Sequence, residues 1–282
     1  MAKHAHVVAN ERLEHQVSWC RAFAEGLRRH GWQVTVSGAP APSDMLVLWG
    51  TRCQAAIGTQ KTTGGEVCIL ERGYLGDRTT WTSVSFGGGL NNRGIFRGPF
   101  HDGSRWDRHH AHLLKSWRRR DGYALLIGQV PGDQSIAGVD IAAWYSRTAA
   151  ELNSAGWDVR LRPHPVAVQR GYSCAVDDVP AVGGDLANAL EGAGIVVTFN
   201  SNTGVESVLA GASTITMDEG AMAWPVTSHS VGDPIVTPDR IAWAHWLAWC
   251  QYTREEISSG FCWDSVRQSP TMPIVPDPAY AA

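Results

Sequence analysis

The feature that most constrains this chain is a strand that turns directly into a helix. Ile195-Val-Val-Thr198 is apolar and β-branched, as a buried strand requires, and Gly204 to Gly211 carries a short amphipathic pattern that Gly211 closes. Between them lie Phe-Asn-Ser-Asn-Thr203, small amide and hydroxyl side chains at a strand end. Free backbone N–H groups at such a helix start, beside the hydroxyls of Ser201 and Thr203, suit a phosphate. They suit a plain N-cap as well, so the turn alone does not decide.

The same alternation recurs along the chain. In the first half the pattern predicts strands at Ala5–Ala9, Gln33–Ser37, Met45–Leu48 and Val67–Leu70, with a helix over Glu11–His30 whose apolar face is Leu13, Val17, Cys20, Phe23, Ala24 and Leu27. Gly73 to Arg105 is rich in Gly, Asn, Thr and Ser without periodicity and reads as one long loop, either working or disordered. A basic helix over Trp106–Arg119, ending in the Arg118–Arg120 run, leads to a turn at Asp121-Gly122. A second series follows, with strands Tyr123–Ile127, Asp158–Leu161, Ile195–Thr198 and Ser213–Met217, and helices Ile141–Ala155, Leu186–Leu190 and Gly204–Ala210. Arg240–Tyr252 and Glu255–Val266 read as Trp-rich helices, and 269–282 as an extended proline-bearing tail. Strands alternating with helices imply parallel sheets. The expected fold class is therefore α/β and GT-B-like: two doubly wound parallel-sheet domains facing across a cleft. The expected division is 1–120, 121–238, and a C-terminal segment 239–282 that crosses back to the first domain.

Composition removes several alternatives. The 282 residues include six scattered cysteines with no CxxC pair, so neither a disulfide scaffold nor a zinc site is expected. No apolar run reaches the ~18 residues of a membrane span, and the chain opens into a strand without a signal-peptide core, so the expected location is cytoplasmic. The net charge of −3 hides a division: residues 1–120 hold 17 basic and 9 acidic side chains, whereas 121–282 hold 7 and 18. A first half at +8 suits a polyanionic partner, and it suits docking on the acidic second half equally well.

Ligands of open α/β sheets sit beyond the carboxyl ends of the strands, so chemistry is sought there. Those positions are Asn10-Glu11, Glu71-Arg72, Gln129, Arg162-Pro-His-Pro165, Asn200-Ser-Asn-Thr203 and Asp218-Glu219. Arg162 offers a planar cation for phosphate, and His164 an imidazole held between prolines. Gly128-Gln129 opens a glycine-bearing loop whose amides suit a diphosphate; it is neither a Walker loop nor a dinucleotide fingerprint.

In order, GQVPGDQSI, RPHP, FNSNTGVESVLAG and MDEGAMAWPVTS resemble the nucleotide-sugar half of capsule-polysaccharide glycosyltransferases of GT-B architecture, over residues 123–230. The resemblance implies a UDP- or CMP-linked sugar as donor substrate, with no tightly bound cofactor and no metal. It places His164, Ser201 and Thr203 around the nucleotide phosphate, and Glu206 near ribose or sugar hydroxyls. Gly128, Gln129, Arg162, Asn202 and Gly204 join them as donor-site candidates.

The first half, through Glu71-Arg-Gly-Tyr-Leu-Gly-Asp-Arg78 with Trp81, Ser83 and Asn91, resembles phage-encoded glycosyltransferase-like proteins that decorate hydroxymethylated DNA bases. That implies double-stranded DNA as acceptor and a host cytoplasm as the setting. A base inside a duplex must be flipped out and stacked, a task open to Tyr74, Trp81, Phe86 and Arg93; the other reading, preferred for Trp81 and Phe86, is that the aromatic rings anchor the loop to its domain. Asn10, Arg72, Arg78 and Asn91 complete the acceptor-side candidates. Sugar transfer also needs a base for the acceptor hydroxyl, for which Glu71 and Asp77 are expected, with Glu11 or His15 behind them. A salt bridge to Arg72 or Arg78 explains Glu71 equally well. The other acceptor considered is a surface polysaccharide. A nucleotide-sugar or DNA binder without turnover is the non-enzymatic reading.

Overall fold

The computed structural model describes residues 2–118 and 121–267. The chain forms two compact units: the first takes the residues up to His110 and the returning stretch from Ile241, the second takes Ala111–Arg240. The tail at 269–282, and Arg119 and Arg120 of the basic run, lie outside the described residues.

The first unit begins β1 (His4–Val8), α1 (Glu14–Arg29), β2 (Gln33–Ser37), β3 (Met45–Trp49), α2 (Gln54–Thr62), β4 (Glu66–Arg72), β5 (Trp81–Phe86) and α3 (Ser104–His109). β1 to β4 are parallel, as apolar strands joined by helices must be. α1 lays Trp19, Cys20, Phe23, Ala24 and Leu27 on one face of the sheet. α2 covers the other face, where Ile57 meets Leu46, Leu48, Val67 and Ile69. Helices on both faces explain why β3 is apolar throughout. α1 starts later than its apolar pattern predicts, because Asn10 holds a turn: its carbonyl accepts from Leu13 N (2.9 Å) and its Oδ1 from Arg12 N (3.2 Å).

The second unit contains β6 (Tyr123–Ile127), α4 (Ile141–Ser154), β7 (Val159–Arg162), α5 (Pro165–Gln169), α6 (Leu186–Glu191), β8 (Ala193–Thr198), α7 (Thr203–Leu209) and β9 (Thr214–Thr216). Its sheet, in the order β7-β6-β8-β9, is parallel throughout. α4 packs Trp144, Tyr145 and Leu152 on one face, and α6 packs Ala189 and Leu190 on the other. Two doubly wound parallel-sheet units are therefore present.

Three expectations change. The segment from Gly73 is not one loop, because β5 runs antiparallel to β4 inside it and is buried along its whole length. The helix expected over Arg240–Tyr252 stops as α8 (Ile241–Trp249). Gln251–Thr253 then forms β10, antiparallel to β5, at the edge of the first sheet in the order β10-β5-β4-β3-β1-β2. Two short helices follow, α9 (Arg254–Ser258) and α10 (Phe261–Arg267). The basic helix is also shorter than expected. After α3 and a 3₁₀ turn at Ala111–Leu113, the chain spends the amides of Lys115 and Arg118 on the carbonyls of Leu209 and Gly211 (both 2.8 Å), which α7 leaves open at its end.

The returning segment is held by Arg105, 5% exposed. Its guanidinium donates to Ala248 O (2.7 Å), Gln251 O (2.8 Å) and both carboxylate oxygens of Glu256 (2.6 and 2.7 Å). Trp81, Trp249 and Tyr252 surround it, with ring centroids 4.9–5.3 Å away. Glu256 in turn closes a capping box with Thr253 at the start of α9. α9 reaches α1 closely enough that a Cβ on Gly26 would strike the Ile257 carbonyl.

Burial pushes the Glu256 pKa up, but the hydrogen bonds and charge of Arg105, with those of Thr253, outweigh it and hold the group below the ordinary carboxylate value. A depressed folded pKa contributes stability above the unfolded value, about 4.3, that is lost as pH falls through the folded one. Glu256→Gln leaves Arg105 buried beside a neutral partner and is expected to cost about 3 kcal/mol or more in urea denaturation at pH 7. The same variant should lose less stability than the parent on acidification; an unchanged pH profile would rule out this role for Glu256.

Candidate functional site

In the second unit the carboxyl ends of β7, β6 and β8 lie side by side, and direct contacts join the residues that follow them. Gly128 N donates to Arg162 O (2.8 Å). A Cβ at Gly128 would lie 2.9 Å from both Arg162 O and His164 N, so only glycine lets the exit of β6 rest on the Arg-Pro-His backbone. On the other side, Gln129 exchanges two hydrogen bonds with Asn200: its Nε2 donates to Asn200 Oδ1 (2.8 Å), and its Oε1 accepts from Asn200 N (3.0 Å). His164 and Ser201 thus flank Gln129 on the two neighbouring strand ends, and two strand spacings amount to roughly 10 Å.

The amide pair is buried, with Gln129 5% and Asn200 4% exposed. Asn200 Nδ2 donates to Ser135 O (2.7 Å) and Asp218 Oδ1 (2.9 Å), and Asp218 Oδ1 also accepts from Gly220 N (3.0 Å). Gln129 N donates to the Tyr145 hydroxyl (2.6 Å), whose pKa burial pushes up to about 12, so that it stays protonated. Each amide orientation is set by a backbone group that can play only one role. One side chain, Asn200, consequently ties together the loops after β6, β8 and β9.

His164 opens α5, its Nδ1 accepting from Val166 N (3.1 Å) with Pro165 at the first helical position. That bond leaves the proton of the neutral imidazole on Nε2, as a donor. Ser201 N donates to Thr198 Oγ1 (3.1 Å), and Ser201 Oγ accepts from Thr203 N (3.2 Å) and donates to Thr203 Oγ1 (3.4 Å).

The expectation of free amides at the start of α7 does not hold. Thr203 N is taken by Ser201 Oγ, Gly204 N by Ser201 O, and Val205 N and Glu206 N by Asn202 O. Besides its two asparagine side chains, this turn contributes the hydroxyls of Ser201 and Thr203. Gly204 packs against Thr198 and Thr216, while Glu206 lies on the exposed side of α7. Arg162 directs its guanidinium at Gly184 O (2.8 Å) and Gly183 O (3.4 Å), which uses two of its five N–H groups. Asn200 and Asp218 stood among the polar strand-end residues, but nothing in the sequence marked their joint role. Tyr145, on α4, carried no local signal.

In the first unit Glu71 lies half-buried at the end of β4, its Oε1 accepting from Arg72 N (2.9 Å). Asp77 is fully exposed and accepts from Thr79 N and Thr79 Oγ1 (both 2.8 Å) and from Thr80 Oγ1 (3.4 Å). Those bonds, the Thr79 amide's foremost, hold its pKa below the usual value, which makes Asp77 a turn-former and a weak base. Arg78 Nε caps Gly73 O (3.0 Å), Asn10 forms the turn before α1, Asn91 takes a left-handed turn conformation (φ 52°), and Arg93 is exposed beyond it.

The aromatic rings anchor the first unit, as expected for Trp81 and Phe86, and offer no stacking platform for a flipped base. Tyr74, Trp81 and Phe86 are 4%, 7% and 0% exposed, and they pack on Phe96, on His109 and His110, and under Arg97 respectively. Rings with their faces inside the unit cannot receive a base. Among the described residues, no group of three or more His, Cys, Asp or Glu is placed to hold a metal ion, and no helix is long and apolar enough to cross a membrane.

No protein-family model and no curated protein matches the chain. Solved structures do. The β-Kdo 2,4 transferase of Thermosulfurimonas dismutans KpsC is 15% identical, with 87% of this chain and 90% of that one covered at a TM-score of 0.61. The β-Kdo 2,7 transferase of KpsC from the same organism is 12% identical, with 93% and 98% covered at 0.56. At these identities the likeness is one of fold, and the fold is the GT-B-like one of capsule-polysaccharide transferases.

Asn200→Leu keeps the approximate volume and removes the amide that joins three loops. It strands Ser135 O and the Gln129 side chain, and is expected to cost about 2–4 kcal/mol in denaturant unfolding. Gly128→Ala should cost about 1–3 kcal/mol, since the facing atoms are backbone. Near-parental stability in both variants would show that the strand-end arrangement is not held as described.

Proposed function

We propose that this protein is a glycosyltransferase that moves a sugar from a nucleotide-linked donor, bound by the second unit, to a hydroxyl of a saccharide acceptor. The observation that carries this reading is the meeting of His164, Gln129 and Ser201–Thr203 at three adjoining strand ends. The leaving nucleotide phosphate develops negative charge as the glycosidic bond breaks, and preorganised donors lower that cost. His164 Nε2–H and the Thr203 hydroxyl are donors of this kind, on loops to either side of the buried amide pair. Glu71, half-buried at the end of β4, is the candidate to take the acceptor's proton.

A saccharide acceptor is favoured over DNA for two reasons. The fold is shared with structures described as β-Kdo transferases, and the aromatic rings that DNA would require are buried.

The test is to incubate the protein with CMP- and UDP-linked sugars, Kdo among them, and either oligosaccharide acceptors or hydroxymethylated duplex DNA, and to read product masses. A sugar increment on an oligosaccharide is expected, with His164→Ala lowering turnover at least tenfold while circular dichroism is unchanged. An increment on a nucleoside would overturn the saccharide acceptor. Parental turnover in His164→Ala would overturn the donor site.

A further inference from the structure

Besides the strand ends of the second unit, the first unit has a cleft of its own. It measures about 570 Å³, within the ~300–1,000 Å³ range of small-molecule sites, and lies at the carboxyl ends of β1, β4 and β10. Glu14, His15, Ser18 and Trp19 of α1 form one wall, Thr79 and Thr80 a second, and Thr253 and Arg254 a third. We infer that this cleft binds a saccharide through its hydroxyls and is the acceptor site of the proposed transfer. The acceptor role rests on the sugar-transfer reading; saccharide binding itself does not.

The chemistry of the lining selects the ligand class. Four hydroxyls line the cleft, and the hydrogens of three are already committed: Ser18 Oγ donates to His15 O (2.9 Å), Thr79 Oγ1 to Asp77 Oδ1 (2.8 Å) and Thr80 Oγ1 to Asp77 Oδ2 (3.4 Å). Those oxygens therefore offer lone pairs. With the Glu14 carboxylate they make a set of acceptors, matched by the donors of Arg254 and of the His15 imidazole. An anion such as phosphate needs donors throughout and would meet oxygen lone pairs here. A polyol supplies an O–H and a lone pair at every carbon, and it satisfies both sets. Burial, and next the charge of Arg72, lower the His15 pKa, so its ring adds no cation to draw an anion. The edge contact with Trp49 (5.6 Å, 87°) fixes that ring.

This reading also gives Asp77 and the returning segment their place. Asp77 is a positioning residue: by holding Thr79 and Thr80 it turns two hydroxyl oxygens to the cleft. Thr253 and Arg254 arrive only when β10 joins β5, and the Thr253–Glu256 capping box together with the Arg105 ion pair sets where α9 begins.

The test uses the full chain and ligand-observed saturation-transfer NMR. The probes are methyl glycosides of common hexoses, Kdo and sialyllactose, with inorganic pyrophosphate as the anion control; CMP and UDP binding is followed separately by calorimetry. At least one glycoside is expected to show transfer, and Thr79→Val/Arg254→Ala, altering two exposed residues, should weaken it at least tenfold while nucleotide binding holds. Absence of transfer from every glycoside, transfer indifferent to the double variant, or displacement of the glycoside by pyrophosphate would each overturn the inference. Failure of CMP and UDP to bind the parent would sink the donor reading instead, leaving saccharide binding to be judged by the NMR alone.

Discussion

A buried cation organises the first unit. Arg105 gives up hydration at a cost of several kcal/mol and recovers it only because four of its N–H groups meet two carbonyls and a carboxylate that the chain delivers from residues 248–256. The requirement is mutual. Without Arg105 those carbonyls and Glu256 would be left beside aromatic rings, and without the returning segment Arg105 would be an unpaired charge in the core. The pairing places β10 on the open edge of β5, and with it the Gln251 side chain, whose Oε1 accepts from Tyr74 N (2.6 Å) and Leu75 N (3.0 Å). The polypeptide after β4 is thereby shaped by a residue 176–177 positions later in the chain.

The second unit solves a similar problem with neutral groups. Parallel strands end together, and each chain leaves its strand with unspent backbone polarity. Gln129 and Asn200 absorb that polarity in a reciprocal amide pair, and Asn200 extends the pairing to Ser135 and Asp218. The result is a set of loops fixed relative to one another, with His164 and the Ser201–Thr203 hydroxyls at its borders. Preorganisation of this kind is what a phosphate-leaving reaction asks of a protein, because donors already in place need not reorganise as charge develops.

Much of the fold was legible in the sequence because parallel strands covered on both faces must be largely apolar, and β3, β6 and β8 are. α1 announced itself by the spacing of Cys20, Phe23, Ala24 and Leu27. β5 did not, since Thr82, Ser83 and Ser85 look like loop residues and become strand only where β4 and β10 pair on either side. The amides at the start of α7 misled for a related reason: an N–H near a strand end is available to a ligand only if no acceptor of the chain is closer, and here two carbonyls and a serine hydroxyl are.

By itself, then, the sequence determined the α/β class, the two sheets, and the strand ends where polar residues collect, because those follow from the period of burial and from local turn chemistry. Only the tertiary structure decided which partners those polar residues meet, and where the last segment goes. Both depend on partners distant in sequence, and no local pattern encodes the meeting of Arg105 with Glu256 or of Gln129 with Asn200.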